Sequence, residues 1–166
     1  MKFAVIVFPG SNCDNDAYYV IRNQLGVDVD FVWHKDSDLS NYDGIIIPGG
    51  FSYGDYLRAG AVARFSKIMN AIKLESTKGK AIIGICNGFQ ILVESGLLPG
   101  ALITNKSTRF ISKEIQLEVS NNESLFFNFS RIFITGNLVV SIFFRSKLFK
   151  IFMLIFLDLI FLSLFR

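Results

Sequence analysis

Strand-like apolar runs recur at residues 3–8, 27–33, 44–47 and 81–85. Between the first two, residues 14–25 read as a helix, with Gly26 placed as its C-cap. Between the last two, Ala61, Phe65, Ile68 and Ile72 recur at i, i+4, i+7 and i+11, which predicts one apolar helix face over 61–74. Apolar strands alternating with helices indicate a parallel sheet covered on both faces, so the fold class expected for residues 1–125 is α/β, a three-layer sandwich around a mostly parallel sheet. Such sheets bind ligands beyond the carboxyl ends of their strands. Pro9-Gly10, Pro48-Gly49 and Cys86 all fall at such ends, so separate strands converge on one candidate site. From 102 to 119 the pattern alternates through Ile111, Glu114, Ile115 and Glu118, which predicts one or two peripheral strands.

The pattern changes after residue 125. Phe, Leu and Ile dominate 126–166, with Gly136 as the one glycine and Asp158 as the one acid. Its densest part, 151–165, is apolar except for Asp158 and Ser163. That is short of the ~20 apolar residues a spanning helix needs, although Arg145, Lys147 and Lys150 could flank a membrane segment. Phe, Leu, Ile, Asn, Lys and Ser share AT-rich codons, so the expectation for 126–166 is an aberrant tail, read from a shifted frame or a truncation.

The chain has 166 residues, enough for one domain with a real core, and a net charge of +3. That charge is uneven: residues 1–125 carry 12 Lys and Arg against 13 Asp and Glu, while 126–166 carry 5 against Asp158. The basic excess thus belongs to the tail, and no basic stripe suits nucleic acid. The apolar start is too short for a secretory segment and ends at Pro9-Gly10. The two cysteines form no CxxC pair, so metal and disulfide readings are weak and a reducing cytoplasm is expected. Cys13 reads as a helix-start residue.

Gly84-Ile85-Cys86-Asn87-Gly88-Phe89-Gln90 carries the chemistry. A cysteine at a strand-to-helix turn, with glycine two before and two after, has the form of a nucleophile elbow. The turn strains the central residue and crowds its neighbours, so side chains at Gly84 and Gly88 would collide. The Asn87 N–H and the helix amino end are expected to favour thiolate and oxyanion. Without these surroundings the bland reading is a buried core cysteine.

At these residues the chain resembles the class I glutamine amidotransferases with a cysteine nucleophile. Pro48-Gly49-Gly50-Phe51-Ser52-Tyr53-Gly54-Asp55-Tyr56-Leu57-Arg58 and Val7-Phe8-Pro9-Gly10-Ser11-Asn12-Cys13-Asp14 narrow the likeness. Both look like the glutaminase subunits of phosphoribosylformylglycinamidine synthase, and the resemblance runs to about residue 125. It implies a class I amidotransferase-like fold, incomplete at the carboxyl end, and attack by Cys86 on the side-chain amide of glutamine. The oxyanion would be held by the N–H of Asn87 and that of Gly50 or Phe51. Gln90 would help orient glutamine, and Ser52, Tyr53, Asp55 and Arg58 would form a loop near the pocket and the partner. The implied partners are glutamine, a large synthetase subunit and a small accessory subunit, with ammonia passed on to make formylglycinamidine ribonucleotide. ATP and magnesium would belong to the synthetase and no cofactor or metal to this chain, which has neither a P-loop ending nor a G-x-G-x-x-G.

One departure stands out. The family completes its triad with a downstream His-Pro-Glu, which is absent from these residues, and the sole histidine, His34, precedes the cysteine. His34 reads as a surface residue, and impaired turnover is the expectation. Two other classes of function stay open: a non-catalytic α/β binding or thiol-sensing protein, and a membrane-tethered interaction protein using the tail.

Overall fold

A computed structural model describes residues 1–108 and the backbone of residues 151–154. The chain divides into two compact units, Met1–Leu102 with Phe149–Leu154, and Ile103–Leu148 with Ile155–Arg166. Of the second unit only 103–108 are described, and they contain no strand. The peripheral strands expected from the alternation lie largely outside the described residues.

The first unit is built on β1 (Lys2–Val7), β2 (Asp28–Trp33), β3 (Gly44–Ile47) and β4 (Ala81–Ile85), close to the four apolar runs. The strands pair in parallel in the order β2-β1-β3-β4, and β5 (Ile151–Leu154) pairs in parallel with β4. A four-residue strand thus comes from the stretch read as aberrant tail. Its apolar composition suits a strand as well as a membrane segment, and period alone does not separate the two.

Among the described residues three α-helices accompany the sheet: α1 (Asp14–Tyr19), continued by a wide π-turn over Val20–Gln24, α2 (Ile68–Thr77) and α3 (Asn87–Glu94). Ile21 packs with Val5, Val29 and Ile46 under α1 on one face of the sheet. The opposite face presents Ala4, Ile6, Ile45, Ile47 and Ile82, all essentially inaccessible. A parallel sheet accepts right-handed crossovers, so moving left to β2 and right to β4 puts α1 and α2 on opposite faces. Helix α3 lies with α2, since a Cβ on Gly84 would meet Leu92 Cδ1 and one on Gly88 would meet Ile47. Each fully buried Ile or Leu here contributes about 1.5–3 kcal/mol.

The helix expected over 61–74 needs correction. Residues 63–65 form a separate 3-10 turn, Ser66 is extended with ψ 144°, and α2 starts at Ile68. Ala61, Ile68 and Ile72 are buried as the pattern requires, but Phe65 is 73% exposed. The extended Ser66 interrupts the helical phase, so Phe65 does not share the face of Ile68.

The strand order reverses at β1 and β3, the topological switch point where open α/β sheets hold ligands. The loops leaving those two strands are zipped together there. Phe51 N–H donates to Gly10 O at 2.9 Å, Tyr53 N–H to Pro9 O at 2.6 Å, and the N–H groups of Asn12 and Cys13 both donate to Gly49 O. A Cβ on Gly10 would stand 2.4 Å from Phe51 O, so glycine is needed for this contact.

Candidate active site

Cys86 caps α3 with φ 50° and ψ −109°, the strained conformation expected of an elbow. Its glycines account for the strain. A Cβ on Gly84 would lie 2.8 Å from Phe89 N and 2.9 Å from Gly88 C, and one on Gly88 would lie 1.9 Å from Ile47 O. The helix backbone therefore rests directly on β3 and β4, and the cysteine side chain stands exposed above their carboxyl ends.

The electrostatics differ from the sequence expectation. Although the residue is exposed, the walls around its sulfur desolvate the thiol and push its pKa up; the Asn87 N–H pulls it down, and the Asp55 carboxylate adds to the rise. Desolvation prevails over the Asn87 N–H, so the Cys86 thiol lies above its ordinary pKa. A base, or substrate binding, has to draw off its proton.

The loop after β3 brings the remaining candidates to the elbow. A Cβ on Gly49 would lie 3.5 Å from Cys86 Cβ and 3.4 Å from Cys13 Sγ, so this turn runs beside Cys86. Gly50 has φ 143°, and a Cβ there would lie 2.6 Å from Asn12 N. The Phe51 N–H is spent on Gly10 O, whereas the Gly50 N–H donates to no acceptor among the described residues. Of the two oxyanion donors expected in this turn, Gly50 is the one with a free hydrogen.

The polar side chains divide into two groups. Ser52, Asp55 and Gln90 gather around Asn87: its Oδ1 accepts from Ser52 N–H at 2.9 Å, and its Nδ2 donates to Asp55 Oδ1 and Gln90 Oε1, both at 3.0 Å. Ser52 Oγ is buried without a partner. Tyr53 and Arg58 anchor the loop elsewhere. Tyr53 OH bonds His34 Nδ1 and Ser66 Oγ, each at 2.8 Å, and Arg58 grips Glu94 on α3 through Nε and Nη2 at 2.6 and 2.8 Å. Arg58 holds the Glu94 carboxyl below its ordinary range. A guanidinium committed in this bidentate way is a loop anchor, not an open anion site.

His34 is buried, not a surface residue, and the reading from sequence is corrected here. It packs edge-on against Trp33 and Tyr53, and burial, with help from Lys35, lowers its pKa. An apolar neighbourhood with one hydroxyl partner suits the neutral imidazole. Three strand spacings, roughly 14 Å, separate the β2 row from the β4 row that ends in Cys86. The sole imidazole is therefore a prop under the loop and not the base of the elbow.

Sequence reasoning missed the carboxamide of Asn87, valued there only for its N–H, and the bracing of the β3 turn by Gly10. Among the described residues no group of three or more His, Cys, Asp or Glu could hold a metal ion, and no helix is long and apolar enough to cross a membrane.

Residues 1–139 match the family described as the CobB/CobQ-like glutamine amidotransferase domain. Among solved structures, the chain is similar to PurLQS from Thermotoga maritima, with 51% identity and a TM-score of 0.66 over 74% of this chain and 57% of that one. The chain thus spans little more than half the length of that relative. A two-domain protein from Anabaena variabilis with DJ-1/ThiJ/PfpI-like and ferritin-like domains is similar at 19% identity and a TM-score of 0.46, over 60% of this chain and 34% of that one.

Proposed function

Because the chain belongs to the CobB/CobQ-like glutamine amidotransferase family, we propose that it is the glutaminase component of phosphoribosylformylglycinamidine synthase. The likeness to PurLQS supports the choice of synthase. The observation that carries the reading is Cys86 at φ 50°, exposed on the elbow beside a glycine turn with an unspent N–H. In this reading Cys86 loses its proton and attacks the side-chain carbonyl carbon of glutamine. The N–H groups of Asn87 and Gly50 hold the resulting oxyanion. The carbon–nitrogen bond then breaks, and the nitrogen leaves as ammonia after taking up a proton. Water attacks the thioester, which releases glutamate and restores the thiol. The ammonia passes to a large synthetase subunit, assisted by a small accessory subunit, and ATP and magnesium are used there, in the cytoplasm.

Proton transfer is the weak step of these 166 residues. Their one imidazole is buried under the loop, so turnover is slower by on the order of 10³-fold or more than in a triad-complete enzyme. The test is glutamate formation from glutamine by the full chain together with the synthetase. Slow, glutamine-saturable production that Cys86→Ala abolishes supports the reading. Production that survives Cys86→Ala, or a chain whose Cys86 ignores glutamine altogether, overturns it.

A further inference from the structure

The carboxamide of Asn87 is 2% exposed, yet every hydrogen bond it makes leads into the site. Its orientation is fixed by chemistry. The Ser52 backbone N–H can only donate, so the atom facing it at 2.9 Å must be the oxygen. The amino group then points the other way, and its two hydrogens serve Asp55 Oδ1 and Gln90 Oε1. One buried side chain thus ties two points of the β3 loop to the first turn of the nucleophile helix.

A second consequence concerns Gln90. Its oxygen is held by Asn87, three residues earlier on the same helix face. Its Nε2 carries no hydrogen bond among the described residues. Gln90 is therefore locked with its donor end free to pair with an acceptor on a ligand, such as a carbonyl or carboxylate oxygen.

We propose that the side-chain amide of Asn87 is a positioning group that holds the 50–58 loop against the elbow and sets the polarity with which Gln90 meets glutamine. The proposal rests on the glutaminase reading and deepens it, because it names what orients the groups around the substrate. Aspartate at this position would keep an acceptor for Ser52 N–H, but it would set two carboxylates together and turn the Gln90 amide over. Leucine would leave Ser52 N–H and Asp55 without partners.

The test compares two alkylation rates of Cys86 in the full chain. Diazo-oxo-norleucine, a diazoketone with the backbone of glutamine, needs the pocket; iodoacetamide needs only the thiolate. Their ratio cancels changes in thiol acidity. Asn87→Asp is expected to lower the ratio about tenfold, the worth of one lost or reversed hydrogen bond. Asp55→Ala, on the partly exposed loop, is expected to lower it less, and Asp55→Asn to recover most of that loss. The decisive variant is the double swap Asn87→Asp with Asp55→Asn. It restores a loop-to-helix bond with donor and acceptor exchanged, so thermal stability should return towards the parent while the ratio stays low, because Gln90 remains reversed. A merely structural residue would recover both together, and that result overturns the proposal, as does an unchanged ratio in Asn87→Asp. Should that single variant fail to fold, the Asp55 pair and the double swap decide. A parent chain with no preference for the diazoketone would overturn the glutaminase reading itself, and the proposal with it, and is distinguishable from a preference that the variants retain.

Discussion

The two walls of the site are held by different means. At the β4–α3 elbow, strain is concentrated in Cys86 and enforced by backbone pressed on backbone at Gly84 and Gly88. In the loop after β3, left-handed conformations are spread over Tyr53, Asp55 and Leu57 and held by side-chain bonds to His34, Asn87 and Glu94. The elbow has no slack, because a single added methyl has nowhere to go. The loop rests on several separate ties, each of which can be cut alone. A cysteine fixed by backbone contact is thus paired with a wall fixed by side-chain bonds.

The contrast is broken most severely from the rigid side. Gly88→Ala places a methyl 1.9 Å from Ile47 O, and the expected loss is at least about 3 kcal/mol in urea unfolding, or no folded protein. Gly50→Ala comes next, since it combines φ 143° with a 2.6 Å contact to Asn12 N, and it should destabilise the loop junction and reduce Cys86 alkylation by the diazoketone together.

Arg58→Ala sharpens the comparison from the other side. It leaves the Glu94 carboxylate, 5% exposed, without its cation, so proteolysis within residues 52–60 should accelerate more than global unfolding does. The same pair has a pH signature. The carboxyl of Glu94 lies below its ordinary 4.5 in the folded chain, so its stabilisation is present above pH 4.5 and lost as the pH falls through the folded value.

The His34 prop gives a smaller effect at milder pH. Its folded pKa is lowered from 6.5, so the folded state resists protonation, and stability declines as the pH drops below 6.5 towards the folded value. Thermal melts from pH 8 to 5 should show this decline in the parent and a flatter profile in His34→Gln. The smallest change is expected at Gly49→Ala, where a Cβ would meet Cys13 Sγ and Cys86 Cβ at 3.4 and 3.5 Å, ordinary contact distances. Neighbouring glycines of one turn should therefore differ sharply, Gly50 intolerant and Gly49 permissive, in a urea titration of the two variants.

The sheet was legible because its strands are nearly all apolar, and the four runs map onto β1 to β4 within a residue or two. The elbow was legible for a local reason too: glycine spacing and a turn lie within five residues of sequence. The loop was not. Its conformation depends on partners 13 to 36 residues away, Ser66, His34, Asn87 and Glu94, and no local pattern announces those pairings. Phe65 was misplaced for the same reason, since the extended Ser66 answers to Tyr53 and not to helix periodicity. His34 carried no sign of burial because part of its cover comes from Tyr53, 19 residues away in the sequence.

The central claim is that the strained elbow presents Cys86 to glutamine. It is tested most directly by mapping, with peptide mass spectrometry, the site labelled by diazo-oxo-norleucine in the full chain, with and without excess glutamine. The account predicts modification at Cys86, little at Cys13, and saturable slowing by glutamine. Equal labelling of Cys13, or labelling of Cys86 at a rate indifferent to glutamine, would contradict it.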